Sequence, residues 1–118
     1  MRGTTEATIL NRVVNQGLDR VYGALADPTR RGMLERLRRG PLSISELGAP
    51  TGMTLAGVGK HVAVLEGAGL VHTRKSGRVR TCELHGDAYT EAAAWIDEQR
   101  AFWHERLDRV TAYLEEKP

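Results

Sequence analysis

Apolar residues recur at intervals of three and four along the first quarter of the chain, which is the pattern of an amphipathic helix. The residues that carry this pattern are Leu10, Val13, Val14, Leu18, Val21, Tyr22 and Leu25. The polar segment Asn15-Gln16-Gly17 predicts a break, so we expect two helices here. Residues 1–8 are small and polar without a period, and we expect them to be flexible.

A third helix is predicted to start at Asp27-Pro28 and to run to about Arg39. Asp can cap the first unpaired N–H groups, and Pro at the first helical position lacks an N–H that would have no partner. Gly40-Pro41 then ends this helix. Ser43 and Glu46 stand at the spacing of a capping box, so a short helix is expected to begin there.

The next segment predicts a helix-turn-helix. The stretch Ala49-Pro50-Thr51-Gly52 ends the short helix, and Thr54 can cap a second one that continues through Glu66. The second helix has one apolar face, formed by Leu55, Val58, Val62 and Leu65. Two short helices joined by a tight glycine-containing turn are typical of this motif.

A β-hairpin and a long helix are expected to follow. Residues 70–75 and 78–84 favour strands, with a turn at Ser76-Gly77. The helix runs from Asp87 to about Glu116 and carries an apolar seam at spacings typical of a coiled coil. The seam consists of Tyr89, Ala93, Ile96, Trp103, Leu107, Val110 and Leu114, with Arg100 as its polar interruption; a second stripe consists of Trp95, Phe102 and Tyr113. Two stripes indicate two surfaces against which this helix packs.

The predicted fold is therefore mainly α with a small β-hairpin wing, in one domain of residues 9–118. The length of 118 residues agrees with a single domain. No apolar run is long enough to span a bilayer and no secretory leader is recognisable, so we expect a soluble, cytoplasmic protein.

The charges are unevenly distributed along the chain. Through Cys82 there are 13 Lys and Arg against 6 Asp and Glu, a net charge of +7. From Glu83 onward there are 4 against 9, a net charge of −5. Such asymmetry indicates a basic surface for a polyanion beside a segment with another role, although ordinary solvated surfaces would give it too.

A helix-turn-helix followed by a basic hairpin is a winged helix-turn-helix, which suits duplex DNA because an α-helix fits the major groove. The predicted contacts on the recognition helix are Thr54, Ala56, Gly57, Gly59, Lys60 and His61, and those on the wing are Arg74, Lys75, Arg78 and Arg80. Glycine is costly inside a helix, so Gly57 and Gly59 indicate close approach, either of DNA or of a neighbouring helix. The wing cations neutralise phosphates under this hypothesis, and otherwise confer solubility.

Two segments carry a family resemblance. Residues 25–31, Leu-Ala-Asp-Pro-Thr-Arg-Arg, and residues 58–71, with Lys60-His61 and Ala68-Gly69-Leu70-Val71, resemble the arsenic-repressor (ArsR/SmtB) family of bacterial regulators. The resemblance implies a homodimeric winged-helix regulator, usually a repressor, that binds an inverted repeat. It also implies dimerisation through the terminal helices, here Leu10, Val14, Ile96, Trp103, Leu107, Val110 and Leu114. Gly59 and Lys60 depart from the Ser and Arg that are usual in the family.

The metal-sensing property of the family is not expected here. Cys82 is the single cysteine, and His104 with Asp108 offers two ligands, too few for a tight site. We therefore expect no metal and no cofactor, and an unknown small molecule or protein as effector, if any. Cys82 is interpreted either as a redox switch or as a packed apolar side chain.

Two other classes of function compete with DNA binding. A winged helix can serve as a protein-protein interaction module, here through the stripe of Trp95, Phe102 and Tyr113. An enzyme would need a nucleophile beside an oriented base, and no Ser or Cys has that context. We therefore expect a non-enzymatic regulator.

Overall fold

Five helices and three short strands make up residues 16–116, the part of the chain that a computed structural model describes. The helices are α1 (described over 16–25), α2 (Pro28–Leu37), α3 (Ile44–Gly48), α4 (Leu55–Gly67) and α5 (Asp87–Glu116). The strands are β1 (Leu42–Ser43), β2 (Val71–Ser76) and β3 (Val79–Leu84), and a 3₁₀ turn at Ala49–Thr51 follows α3.

The first predicted helix boundary needs a correction. Gln16 and Gly17 are both helical, so the break expected at 15–17 does not fall on either of them. The backbone hydrogen bonds of α1 therefore outweigh the low helix propensity of Gly17. Asn15, the flexible segment predicted at 1–8, and the dimer contacts predicted at Leu10 and Val14 lie outside the described residues.

Helix starts are capped as the sequence predicts. The Asp27 carboxylate accepts the N–H of Arg30 at 3.0 Å at the start of α2. At α3 the Ser43 hydroxyl accepts the N–H of Glu46 at 3.1 Å, and the Glu46 carboxylate accepts the N–H of Ser43 at 3.0 Å. The hydrogen bond from the backbone N–H of Ser43, followed by the interaction of the carboxylate with the Ser43 side chain, holds the pKa of Glu46 below its usual value. The predicted capping box is confirmed.

The wing is part of a three-stranded antiparallel sheet rather than an isolated hairpin. The strand order is β1-β3-β2, and β1 pairs Leu42 with Cys82. Ser76 pairs with Val79, so the turn residues are Gly77 and Arg78, one position later than predicted. Gly77 has φ +61°. A positive φ at the first of two turn residues is typical of a type II′ turn, which favours glycine there.

The core lies between α2, α3, α4 and the sheet. Its largest fully buried side chains are those of Met33, Leu47, Val58, Leu65, Leu70, Val71 and Cys82. Burial, followed by the charges of Glu66 and Glu83, raises the pKa of the Cys82 thiol to about 11. Cys82 is thus a packed side chain without thiolate character, and the redox interpretation is not supported.

Helix α5 is attached to the domain only near its start. Ala92 is its one buried residue, and the Tyr22 hydroxyl donates to the carbonyl oxygen of Ala92 at 2.6 Å. The ring of Trp95 packs edge-on against Tyr22, with centroids 6.2 Å apart. Thirty residues form a helix about 45 Å long, so most of α5 projects beyond the core. No helix among residues 16–116 is both long and apolar enough to cross a bilayer.

Candidate nucleic-acid interface

Helix α4 begins at the exposed Thr54. The Thr54 hydroxyl accepts the N–H of Gly57 at 3.1 Å, which confirms the predicted cap. A β-carbon on Gly57 would lie 3.2 Å from Met53 Cε and 3.3 Å from Thr54 Oγ1. Gly57 therefore provides room for the two residues that precede α4, and not for a neighbouring helix as one of the two predictions had it.

The outer face of α4 has small side chains and one cation. Ala56, Lys60 and Ala63 are exposed, whereas Val58 and Val62 are buried against the core. A β-carbon on Gly59 would meet no atom within 4 Å, so internal packing does not require glycine at this position. The absence of a side chain at Gly59 leaves the helix backbone open to an approaching partner.

His61 points away from this outer face. Its Nδ1 lies 3.2 Å from Nη1 of Arg30 and 4.0 Å from Oδ2 of Asp27, and its side chain is 21% exposed. Arg has only donors, so a hydrogen bond in this contact has Nδ1 of His61 as its acceptor. His61 was predicted as a DNA contact, but the geometry supports a structural role, because its side chain joins α4 to the junction of α1 and α2.

The cations of the wing are divided between two faces of the hairpin. Lys75 pairs with Arg80 across the strands, on the face that continues from the buried Val71 and Cys82. Arg74 lies on the opposite face, where its guanidinium is 3.5 Å from the carboxylate of Glu83.

All residues from Arg74 to Arg80 are exposed, and Arg78 lies in the turn. Directly opposed cations such as Lys75 and Arg80 repel one another. An anion between or beside them would remove this repulsion, so the wing is suited to a negatively charged partner.

A groove of about 410 Å³ separates α4 from the wing. One wall is formed by the small residues Gly59 and Ala63, and the other carries Thr73 and Arg80. Glu66, near the end of α4, closes the groove and accepts hydrogen bonds from Thr73. Sequence reasoning missed Glu66 because a lone acid at the end of a helix gives no signal of a cross-element contact.

Three of the arginines in the basic part of the chain have structural roles. They cap helix ends: Arg30 donates to the carbonyls of Gly23 and Ala24, Arg31 to that of Leu25, and Arg36 to those of Glu46 and Leu47. The charge asymmetry of the sequence is thus due partly to helix capping and only partly to an exposed basic surface.

The structure brings together two histidines that are distant in sequence. The rings of His72 and His85 have centroids 4.2 Å apart. Within residues 16–116, no three His, Cys, Asp or Glu side chains are arranged to hold a metal ion.

Known proteins resemble this chain in sequence and in fold. A family model described as a helix-turn-helix domain matches residues 25–74. The HTH-type transcriptional regulator Rv2034 of Mycobacterium tuberculosis is 40% identical over 89 residues, which are 75% of this chain and 80% of that protein.

Two solved structures extend the comparison. The crystal structure of an ArsR family transcriptional regulator, RHA00566, shares 44% identity and a TM-score of 0.73 over 76% of this chain and 93% of its own. A homodimeric winged helix-turn-helix DNA-binding domain from Mycobacterium bovis, described as a possible ArsR-family regulator, shares 26% identity with a TM-score of 0.57. This match covers 84% of the present chain and 89% of that domain. By these similarities of sequence and fold, the chain belongs to the ArsR family of winged helix-turn-helix transcriptional regulators.

Proposed function

We propose that this chain is a homodimeric transcriptional repressor that binds an inverted-repeat operator, with α4 in the major groove and the wing beside it. The observation that carries the proposal is the outer face of α4. Its first two turns expose Ala56 and Lys60, have no side chain at the half-buried Gly59 and contain no acid, and they adjoin a wing with four exposed cations.

The shape of α4 suits close contact with base edges. The major groove is roughly 12 Å wide and admits an α-helix when the side chains on its leading face are small. Ala56 can contact a thymine methyl group, and the Thr54 hydroxyl and Lys60 can reach phosphates or bases. Because Gly59 has no side chain, the backbone of α4 can approach the DNA closely, and no contact inside the protein requires glycine at this position.

The wing supplies contacts to the DNA backbone. Lys75, Arg78 and Arg80 are exposed, and none of them forms an ion pair among the described residues. Each phosphate that such a cation neutralises releases counterions, so affinity should fall steeply with salt. Arg74 keeps a partner in Glu83 and is expected to contribute less.

The exposed apolar seam of α5 supports dimerisation. The residues of this seam, Ile96, Trp103, Leu107, Val110 and Leu114, are 45–64% exposed. Such a stripe on a projecting helix needs a partner. A second copy of this chain is the proposed occupant, because the related Mycobacterium bovis domain is homodimeric. Two α4 helices related by a twofold axis would read half-sites one helical turn, about 34 Å, apart.

The test uses the purified chain and a duplex from its own promoter, in a mobility-shift titration at low salt. The proposal predicts a specific shift that is lost when Lys60, Arg74 and Arg78 are all replaced by alanine while the dimer stays intact. Leu107→Glu should produce monomers in sedimentation and weaken binding. Retained regulation in the triple variant would contradict the proposal and favour a protein-protein interaction module. A reporter gene that the chain does not repress would contradict the repressor assignment.

A further inference from the structure

A chain of three hydrogen bonds joins α4 to the wing. The backbone N–H and the hydroxyl of Thr73 both donate to Oε2 of Glu66, at 2.8 and 2.7 Å. Since the hydroxyl has one proton and directs it to Glu66, its oxygen is an acceptor for Nη1 of Arg80, 3.0 Å away. The donor and acceptor roles in these hydrogen bonds are therefore fixed: Arg80 donates to Thr73, and Thr73 donates to Glu66.

This arrangement has two consequences for the wing. The carboxylate satisfies the N–H of Thr73, which lies on the outer edge of β2, and so fixes the wing relative to α4. It also holds Arg80 at the groove beside Gly59 and Ala63. One of the five N–H donors of the guanidinium is used in this contact, and the others remain available.

We infer that Glu66 is a positioning residue for DNA binding, which acts through Thr73 to hold Arg80 against a phosphate of the strand that enters the groove between α4 and the wing. The inference rests on the proposed function. An unrestrained arginine loses rotamer freedom when it binds, and an arginine that is already held loses less. Glu66 itself touches no DNA in this arrangement.

The sign of the effect separates this role from simple electrostatics. A carboxylate near the DNA backbone repels phosphates, so charge alone predicts tighter binding whenever Glu66 is neutralised. Glu66→Gln removes the charge but keeps an oxygen that can accept from Thr73. Glu66→Ala removes both. Positioning therefore predicts that the alanine variant binds more weakly than the glutamine variant, although the two have the same net charge.

The experiment measures fluorescence anisotropy of a labelled operator duplex with the full-length dimer of each variant. We expect Glu66→Ala to bind about tenfold more weakly than Glu66→Gln, which is the upper end of the effect expected for loss of one neutral hydrogen bond. In an Arg80→Ala background the two variants should bind alike, because nothing remains to be positioned. Thr73→Val keeps the charge of Glu66 but removes the hydroxyl that links it to Arg80, so it should bind more weakly than the wild type. Thr73→Ser keeps the hydroxyl and should retain wild-type affinity. Thermal unfolding of each variant checks that the fold is intact.

The outcomes are distinguishable from failure of the proposed function. If the wild-type chain binds no duplex, both the function and the inference are overturned. If the wild type binds, and Arg80→Ala weakens binding while Glu66→Ala and Glu66→Gln are equal, only the positioning role is overturned. A difference between these two variants that persists without Arg80 would also overturn it, since Glu66 would then act by another route.

Discussion

A β-carbon on Gly48 would lie 2.5 Å from Cγ2 of Val58, so α3 and α4 pack together at a glycine. Both residues are buried, and Val58 is fully so. We predict that Gly48→Ala destabilises the fold by about 1–3 kcal/mol, the usual cost of overpacking a core, because the branched Val58 cannot move aside. Urea unfolding at a fixed protein concentration measures this. A free energy of unfolding equal to that of the wild type would show that the two helices can separate at no cost.

Gly59→Ala is expected to have the opposite effect on stability. Its β-carbon would meet no atom within 4 Å, and alanine is favoured over glycine inside a helix by about 1 kcal/mol. The variant should therefore be as stable as the wild type or more stable, yet bind operator DNA more weakly, because the new methyl group would stand on the face that is proposed to enter the DNA major groove. Unchanged affinity would mean that Gly59 has no role in the approach of DNA.

The arginines of the basic segment are expected to separate into two classes. Arg36 donates to the carbonyls of Leu47 and Glu46, at 2.5 and 2.6 Å, whereas Arg78 lies in the exposed turn of the wing. Arg36→Ala should cost about 1–3 kcal/mol of stability and leave the salt dependence of DNA binding unchanged. Arg78→Ala should change stability by less than about 0.5 kcal/mol and reduce the salt slope by about 0.9 for each phosphate that the side chain neutralises in the wild type.

The two variants are matched, because each removes one positive charge from the same chain. Unfolding curves and binding isotherms over a range of salt concentrations test the pair. Equal salt slopes for the two variants would contradict the division between structural and DNA-binding arginines.

The buried thiol predicts an alkaline loss of stability. Burial raises the pKa of Cys82 from 9.0 to about 11, so above pH 9 the unfolded state releases a proton that the folded state retains. The contribution of the Cys82 thiol to the free energy of unfolding is therefore fully present below pH 9 and declines as the pH rises toward 11. The advantage of the wild type over Cys82→Ala in urea unfolding should shrink over that interval. Mild oxidants should leave the Cys82 thiol unmodified in the folded protein at neutral pH, as measured by mass spectrometry, and oxidation of this thiol would contradict its burial.

Most elements of the fold follow from local sequence signals. The caps at Asp27, Ser43 and Thr54 rely on hydrogen bonds between residues close in sequence, so the starts of α2, α3 and α4 could be predicted. Strand β1 could not, because two residues carry no period and its pairing with Cys82 spans forty positions. The turn of the wing lies one residue later than predicted, because the register of β2 and β3 depends on all of their cross-strand pairs and not on the turn residues alone.

The candidate site was predictable in its composition but not in its orientation. Exposed Lys60, Lys75 and Arg80 agree with the sequence, whereas His61 turns inward to Arg30. The position of a polar residue along a helix predicts the direction in which its side chain leaves the helix. It does not predict the hydrogen-bond partner, because that partner belongs to another element of the fold. The same reason explains why the contact between Glu66 and Thr73 was missed.

Selection of bound sequences from random DNA duplexes with the purified chain tests most directly whether a dimer presents two recognition helices to one face of DNA. If it does, the selection should recover an inverted repeat whose half-sites are centred about 10 base pairs apart. Binding of the selected duplex should fall steeply as salt is raised. Recovery of a single unpaired half-site, or of no enriched sequence at low salt, would contradict this arrangement.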